Sequence, residues 1–314
     1  MYEYDKRVVL TLDAGGTNFV FSAIQGNNEM ISPIGLPAVS DNLDECLEVL
    51  VKGFDRVIAA IPVPPVAISF AFPGPADYEN GIIGDLPNFP SFRGGVALGP
   101  FLKHKYGIPV FIENDGNLFA YGEALSGALP MINRELSLAG CSREYKNLIG
   151  ITLGTGFGAG VVINKVLLTG DNGCGGDIWL MRNKKYPDML AEESVSIRAV
   201  RRVYSDLSGQ SSASLSPKDI YDIAEGIKEG DSHAAIASFN ELGIMAGAAI
   251  ASVLNVVDGL VVIGGGVAGA SKYILPALIT ELRAQLTTFS GNKFPCVSMQ
   301  VYNGEDESER ARFL

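Results

Sequence analysis

Two stretches of this chain share one pattern of apolar and polar positions. The runs from Val8 to Asp13 and from Phe19 to Ile24 are β-branched and apolar, and they flank Ala14-Gly15-Gly16-Thr17-Asn18, which is the pattern of a β-hairpin closed by a glycine turn. The stretch LIGITLGTGFGAGVVI, Leu148 to Ile163, repeats it around Gly154-Thr155-Gly156. Two such units about half a chain apart imply an internally duplicated α/β architecture, each half opening with a hairpin at an inter-domain cleft, so that both turns face one site.

The remaining pattern alternates strands and helices. Leu43, Cys46, Leu47, Leu50 and Val51 fall at helical spacing within Asn42 to Phe54, while VAISFAFPGP and IPVFIEND read as short apolar strands ending in polar or Gly/Pro residues. Ser216-Pro217-Lys218-Asp219 has the makings of a helix start: a capping hydroxyl, proline at the first helical position and an acid in the first turn. An Ala- and Leu-rich helix is expected from about Ser232 to Leu254. GLVVIGGGVAGA reads as a buried strand meeting a glycine turn, followed by a helix from Lys272 to Leu286. The division expected is an N-terminal α/β domain over 1–117 and a C-terminal α/β domain over 118–314.

Composition narrows the functional classes. With 314 residues, 47% of them hydrophobic, the chain can bury the cores of about two domains. Its 24 Lys and Arg against 35 Asp and Glu give a net charge of −11, which argues against nucleic acid or an anionic membrane as partner. The opening MYEYDKRVVLTLD lacks the basic-then-apolar order of a signal peptide, and no apolar run is expected to approach the roughly 20 residues that span a bilayer, so a cytoplasmic location is expected. Cys46, Cys141, Cys174 and Cys296 are scattered and read as reduced thiols; His104 and His233 each stand alone, which disfavours a zinc site.

The glycine turns carry the candidate chemistry. Consecutive glycines let backbone N–H groups approach phosphate oxygens, Thr17 and Asn18 add donors, and Asp13 has the chemistry to hold a hydrated Mg²⁺. One such turn is equally a plain hairpin turn. A second, Gly154-Thr155-Gly156-Phe157-Gly158, favours nucleotide binding, because two turns can clamp one polyphosphate. Gly264-Gly265-Gly266-Val267-Ala268-Gly269 formally matches the dinucleotide pattern GxGxxG, but only about 45 residues follow, too few for successive βαβ units. It fits the adenosine part of ATP better, or else a plain strand-to-helix turn. Asn114-Asp115 ends a strand, before a helix expected from about Asn117 to Leu125. Asp115 is placed either as a carboxylate that takes a hydroxyl proton in phosphoryl transfer or as a helix N-cap.

LTLDAGGTN, FAFPGPAD with LPNFP, FIENDGN, ITLGTGFGAGVVIN, TGDNGCGGDI and VVIGGGVAGA, in that order, resemble the signature blocks of the ROK family of bacterial sugar kinases and repressors, over about Val8 to Leu286. The resemblance implies a duplicated actin/hexokinase-like (ribonuclease H-like) α/β fold of two domains with an inter-domain cleft, and ATP with Mg²⁺ as phosphoryl donor. It makes Asp115 the catalytic base. It gives Gly74, Asn88 and Asn114 the sugar hydroxyls, and Asp177, where the family usually has Glu, the anomeric end. Glu192 corresponds to a later sugar-touching glutamate, with Glu193 as the competing register. Gly15, Gly16, Gly154, Thr155, Gly156 and Gly158 would line the phosphates, and Gly264, Gly265 and Gly266 the adenosine.

Three departures accompany the resemblance. Leu180 stands where the family usually has a histidine that binds sugar and zinc, the CxCGxxGC zinc motif has no counterpart in MRNKKYPDML, and the sequence stops at ERARFL where family members commonly continue into a small-residue-rich helix. No structural zinc is therefore expected. The expected activity is ATP-dependent phosphorylation of a hexose, with glucose as the default acceptor and N-acetylhexosamines or fructose as alternatives. A non-catalytic sugar binder and a sugar-sensing regulator are the rival classes; the latter carries a DNA-binding domain ahead of the first turn, for which Asp13 is too near the start. A homodimer is the expected assembly, if any.

Overall fold

The computed structural model describes residues 2–15, 18–72, 74, 76–84 and 90–314. Gly16, Thr17 and Asn88 lie outside the described residues. The chain divides into two compact units, Met1–Leu118 with Asp171–Gly173, and Phe119–Gly170 with Cys174–Leu314.

The first unit contains β1 (Val8–Ala14), β2 (Asn18–Gln25), β3 (Asn28–Glu29), β4 (Ile34–Pro37), α1 (Leu43–Ala60), β5 (Ala67–Ala71), β6 (Ala76–Asp77), β7 (Ile82–Ile83), α2 (Leu98–Tyr106) and β8 (Val110–Glu113). Its main sheet runs β3-β2-β1-β5-β8, with β4 also on β2 and β6 pairing β7 separately. β1 and β2 form the expected antiparallel hairpin, from Val8 opposite Gln25 to Ala14 opposite Phe19, and β1, β5 and β8 run parallel. Asn42 caps α1, its side chain accepting from the Glu45 N–H at 3.3 Å. The helix buries Cys46, Leu50, Gly53, Phe54 and Val57 and continues past the expected end at Phe54. Gly53 is required there, since a Cβ would stand 2.3 Å from the Phe21 ring. The core is aromatic, with Phe54 edge-on to Phe21 at 5.1 Å and to Tyr106 at 6.1 Å.

The helix α3 (Asp115–Leu125) begins in the first unit and ends in the second. The second unit then contains α4 (Ala128–Leu138), β9 (Leu148–Leu153), β10 (Phe157–Ile163), β11 (Val166–Leu167), α5 (Ile197–Ser208), α6 (Pro217–Ala224), α7 (Ser232–Val257), β12 (Leu260–Gly264), α8 (Ser271–Leu282), β13 (Gln285–Thr287), β14 (Lys293–Pro295) and α9 (Glu307–Phe313). Its sheet order, β11-β10-β9-β12, repeats β3-β2-β1-β5 with the same sense at every pairing: hairpin antiparallel, return strand antiparallel, crossover strand parallel. The duplication read from the two glycine hairpins is the architecture of the molecule.

Ser216 and Asp219 form a reciprocal capping box at the start of α6, with Pro217 at its first position, as the sequence predicts. Three expectations need correction. β12 is half-buried rather than buried, because it is an edge strand of its sheet. The helix expected to reach Leu286 stops at Leu282, and Gln285–Thr287 instead pair with Lys293–Pro295, where Leu286 opposite Phe294 makes a cross-strand apolar pair. Finally, α7 is by length and composition apolar enough to cross a membrane, although 56% of its most apolar stretch is buried inside the unit. It is a core helix, packed against α5, α6 and α8.

Candidate active site

In the first unit the parallel strands place five of the candidate residues, Asp13, Gly15, Gly74, Asn114 and Asp115, at one sheet edge. Asp13 near the end of β1 pairs with Ala71 at the end of β5, and Ala71 pairs with Glu113 at the end of β8. The three segments that follow these strand ends contain Gly15, Gly74 and Asn114-Asp115, so the candidates lie at the carboxyl ends of adjacent parallel strands, where open α/β sheets bind ligands. Asp13 and Asp115 are both exposed. A Cβ on Gly15 would meet the Asn18 carbonyl at 2.9 Å. Asn18 itself is the first residue of β2, opposite Pro37.

The alternative in which Asp115 caps α3 is corrected by its neighbour. Asp115 is the first helical residue, two positions earlier than expected, and the capping oxygen is Oδ1 of Asn114, which accepts from the N–H groups of Gly116 at 2.9 Å and Asn117 at 3.3 Å. Capping thus occupies the Asn114 oxygen, and the Asp115 carboxylate accepts the N–H of Gly116 through one oxygen, Oδ1. Two residues that the sequence reading passed over fix this corner. Glu113 Oε1 accepts from the Asn114 N–H at 2.9 Å and from Nδ2 of Asn117 at 3.1 Å, and Asn117 is buried with its own Oδ1 unpartnered. Tyr78 does similar work at Gly74: its hydroxyl donates to the Phe72 carbonyl at 3.0 Å and stands 2.9 Å from where a Cβ of Gly74 would be.

In the second unit the same edge carries backbone groups instead of carboxylates. Thr152 near the end of β9 is flanked by Gly158 on β10 and Gly264 on β12. The turn Gly154-Thr155-Gly156 and the cluster Gly264-Gly265-Gly266 are therefore neighbours, and Gly158 belongs to the ladder rather than to the turn. Gly265 has a φ of +90°, and a Cβ on it would fall 2.5 Å from the Leu153 carbonyl, which also accepts the Val267 N–H at 2.9 Å. Gly264 makes room for the Phe119 ring. Among the described residues the N–H groups of Thr155 and Gly156 donate to no protein acceptor. Nothing stands within 4 Å of a Cβ placed on Gly154 or Gly266. Adjacent unpaired amides beside open space can receive an anionic oxygen.

Glu192 lies against this turn: its Oε2 accepts the Phe157 N–H at 3.1 Å, and its Oε1 accepts from Arg198 at 3.1 Å. Glu193 is more exposed, and among the described residues its carboxylate reaches Arg198 alone, at 3.3 Å. That bond to Glu192 holds the Arg198 guanidinium above its ordinary value. Asp177 is exposed at the start of the short 3-10 turn Ile178–Leu180, and Leu180 is exposed beside it. Following it, where the zinc motif has no counterpart, the side chain of buried Asn183 organises the loop. Its Nδ2 donates to the Leu190 carbonyl and the Ser194 hydroxyl, and its Oδ1 accepts from the N–H groups of Lys185 and Tyr186. Among the described residues no three His, Cys, Asp or Glu side chains cluster as metal ligands.

Two α/β units of one topology, each presenting a hairpin turn at the carboxyl edge of its parallel strands, define the actin-like ATPase class of sugar kinases and their relatives. Within that class a family model described as ROK family matches residues 9–308, and the chain belongs to the ROK family. A crystal structure of a glucokinase from Parabacteroides distasonis is 66% identical in sequence, superposes with a TM-score of 0.82, and is matched over 90% of this chain and 79% of its own. A glucokinase of Thermotoga maritima is 26% identical over 290 residues, 87% of this chain and 86% of the relative. An N-acetyl-D-glucosamine kinase of Vibrio cholerae is 29% identical over 170 residues, 54% of this chain and 51% of the relative.

Proposed function

We propose that this ROK protein is an ATP-dependent hexose kinase that converts glucose to glucose 6-phosphate, with Asp115 as general base. The observation that carries the reading is the division of labour between two like edges: carboxylates at the ends of β1 and β8, unpaired amides at Thr155 and Gly156. Phosphoryl transfer needs alignment, neutralisation of phosphate charge and one carboxylate near the attacking hydroxyl, and both kinds of group are present. The 66% identical glucokinase supports glucose as the acceptor. An N-acetylhexosamine is the second acceptor class, supported by the similarity to the N-acetyl-D-glucosamine kinase.

On this reading Asp115 takes the proton of the C6 hydroxyl as that oxygen attacks the γ-phosphorus, and ADP leaves. The open glycine turns fit a nucleotide, since the Cβ positions of Gly154 and Gly266 meet nothing within 4 Å. The amides of Thr155 and Gly156 would receive phosphate oxygens, with Gly15, Gly16, Thr17 and Asn18 lining the phosphates from the first turn and Gly264 to Gly266 the adenosine. ATP with Mg²⁺, when bound, supplies the phosphoryl group and screens its charge, and the exposed Asp13 would hold the cation through water. Gly74, Asn88, Asn114 and Asp177 would bind sugar hydroxyls. Use of ATP supports a cytoplasmic location.

Coupled ADP release with MgATP against a panel of hexoses and N-acetylhexosamines tests the proposal. Turnover should be largest with glucose, and Asp115→Asn should lower kcat by about 10²–10⁴-fold with sugar binding retained. Full activity in that variant would remove Asp115 from the mechanism.

A further inference from the structure

The second glycine turn is held from behind at three points by one short segment. The Gly154 carbonyl accepts the Ile197 N–H at 2.9 Å, the Thr155 carbonyl accepts from Nη1 of Arg198 at 3.4 Å, and the Phe157 N–H donates to Glu192 at 3.1 Å. Ile197 is the first residue of α5, whose first N–H groups have no partner within the helix, so the Gly154 carbonyl satisfies one of them. Ser196, the N-cap of α5, is buried and fixes the helix start. Each bond ties the turn to the segment from Glu192 to Arg198, and the amides left over are those of Thr155 and Gly156.

Arg198 is the member that joins these contacts. One Nη spans the Glu192 and Glu193 carboxylates at 3.1 and 3.3 Å while the other reaches the turn carbonyl. A guanidinium can do this because its donors are fixed in a plane; an ammonium of similar charge offers a single point. Gly156 completes the fit, since a Cβ there would stand 2.6 Å from Glu192 Oε2.

We propose that Arg198 is a positioning residue for the phosphate-binding turn: by pinning Glu192 and the Thr155 carbonyl together it keeps the Thr155 and Gly156 amides turned outward to receive nucleotide phosphate. This rests on the kinase reading above and assigns Arg198 to the nucleotide rather than to the sugar. It also gives Glu192 a second task, bracing the turn through Phe157.

Steady-state kinetics with ATP and the accepted sugar varied independently test the assignment. Arg198→Met should raise KM for ATP by about ten-fold while kcat and KM for sugar stay within about two-fold, and Arg198→Lys should recover only part of the loss. Glu193→Ala, which leaves the Glu192 contact in place, should change KM for ATP by less than about two-fold. A folded Arg198→Met protein with an unchanged KM for ATP overturns the proposal, as does a rise confined to the KM for sugar. If Arg198→Met does not fold, Arg198→Lys alone decides, through the presence or absence of the selective rise. If the unaltered protein phosphorylates no sugar, the kinase reading falls by itself. The positioning role is then read from calorimetric binding of a non-hydrolysable ATP analogue, expected to weaken about ten-fold in Arg198→Met and overturned by equal affinity.

Discussion

The two units share a topology but are held together by different chemistry. The first is packed around aromatic rings: Phe19, Phe21, Phe54, Phe70, Phe72 and Phe92 are all fully buried or nearly so, and Phe54 touches Phe21, Phe70 and Tyr106. Among the described residues its ion pairing is confined to Arg7 with Asp5. The second has an aliphatic, alanine-rich core around α7 and is laced on the outside by ion pairs, among them Lys184–Glu281, Lys185–Glu241, Lys272–Glu225, Arg283–Glu309 and Arg310–Glu135. The contrast extends to the functional edges, where the first unit offers side-chain carboxylates and the second offers backbone amides. The carboxylate at Asp115 stands on a packed strand end and a corner capped by Asn114 and braced by Glu113. A turn of amides must have its backbone fixed, and the polar struts Arg198 and Glu192 do that.

If the comparison is right, the first unit is most vulnerable to a hole in its core. Phe54 is 0% exposed and sits at the centre of the ring cluster, so Phe54→Ala should destabilise the protein by about 3–5 kcal/mol, measured by chemical denaturation. A loss below about 1 kcal/mol would show that the aromatic packing is dispensable. The second unit should fail through its polar struts instead. Asn183 satisfies four hydrogen bonds while 2% exposed, and Asn183→Ala leaves the Leu190 carbonyl and the Lys185 and Tyr186 N–H groups short of a partner, at a cost of about 1–3 kcal/mol. An unchanged melting temperature in that variant would remove Asn183 as the organiser of its loop.

How much of this was legible in the sequence follows from the range of each interaction. The hairpins and the capped helix start at Ser216 depend on residues close in sequence, and local pattern reveals them. The end of α8 at Leu282 was hidden, because Gln285 to Thr287 become a strand only through pairing with Lys293 to Pro295. Asn114 displaced Asp115 as the cap of α3 for a similar reason: both residue types cap helices, and the choice is settled by where the strand β8 stops. The bond from Phe157 to Glu192 spans 35 positions and that from Arg198 to Thr155 spans 43, so no window of sequence connects them. The family blocks point Glu192 to a sugar, whereas its contact with the turn arises only from the fold. Asn183 carried one faint signal, an Asn ahead of polar residues of the kind that forms a side-chain turn.

The smallest expected effect concerns the ion pairs themselves and has a definite direction with pH. Asp219 lies in the capping box of α6, where the Lys228 ammonium at 2.8 Å, then the Ser216 hydroxyl and N–H, hold its carboxyl well below the ordinary value of 3.8. A carboxyl whose value is depressed by folding adds stability that is fully present above the unfolded value; the contribution fades as pH falls through 3.8 toward the folded value and is gone below it. Asp219→Asn should therefore lower the melting temperature measurably at about pH 7, and the gap from the unaltered protein should shrink by about pH 3. Salt should narrow the gap at neutral pH only in part, because the Lys228 attraction is screened while the hydrogen bonds from Ser216 persist. An equal gap at both pH values would mean that the α6 start is held by the shape of the cap alone, and the view of the second unit as the one secured by charge would lose its most exposed support.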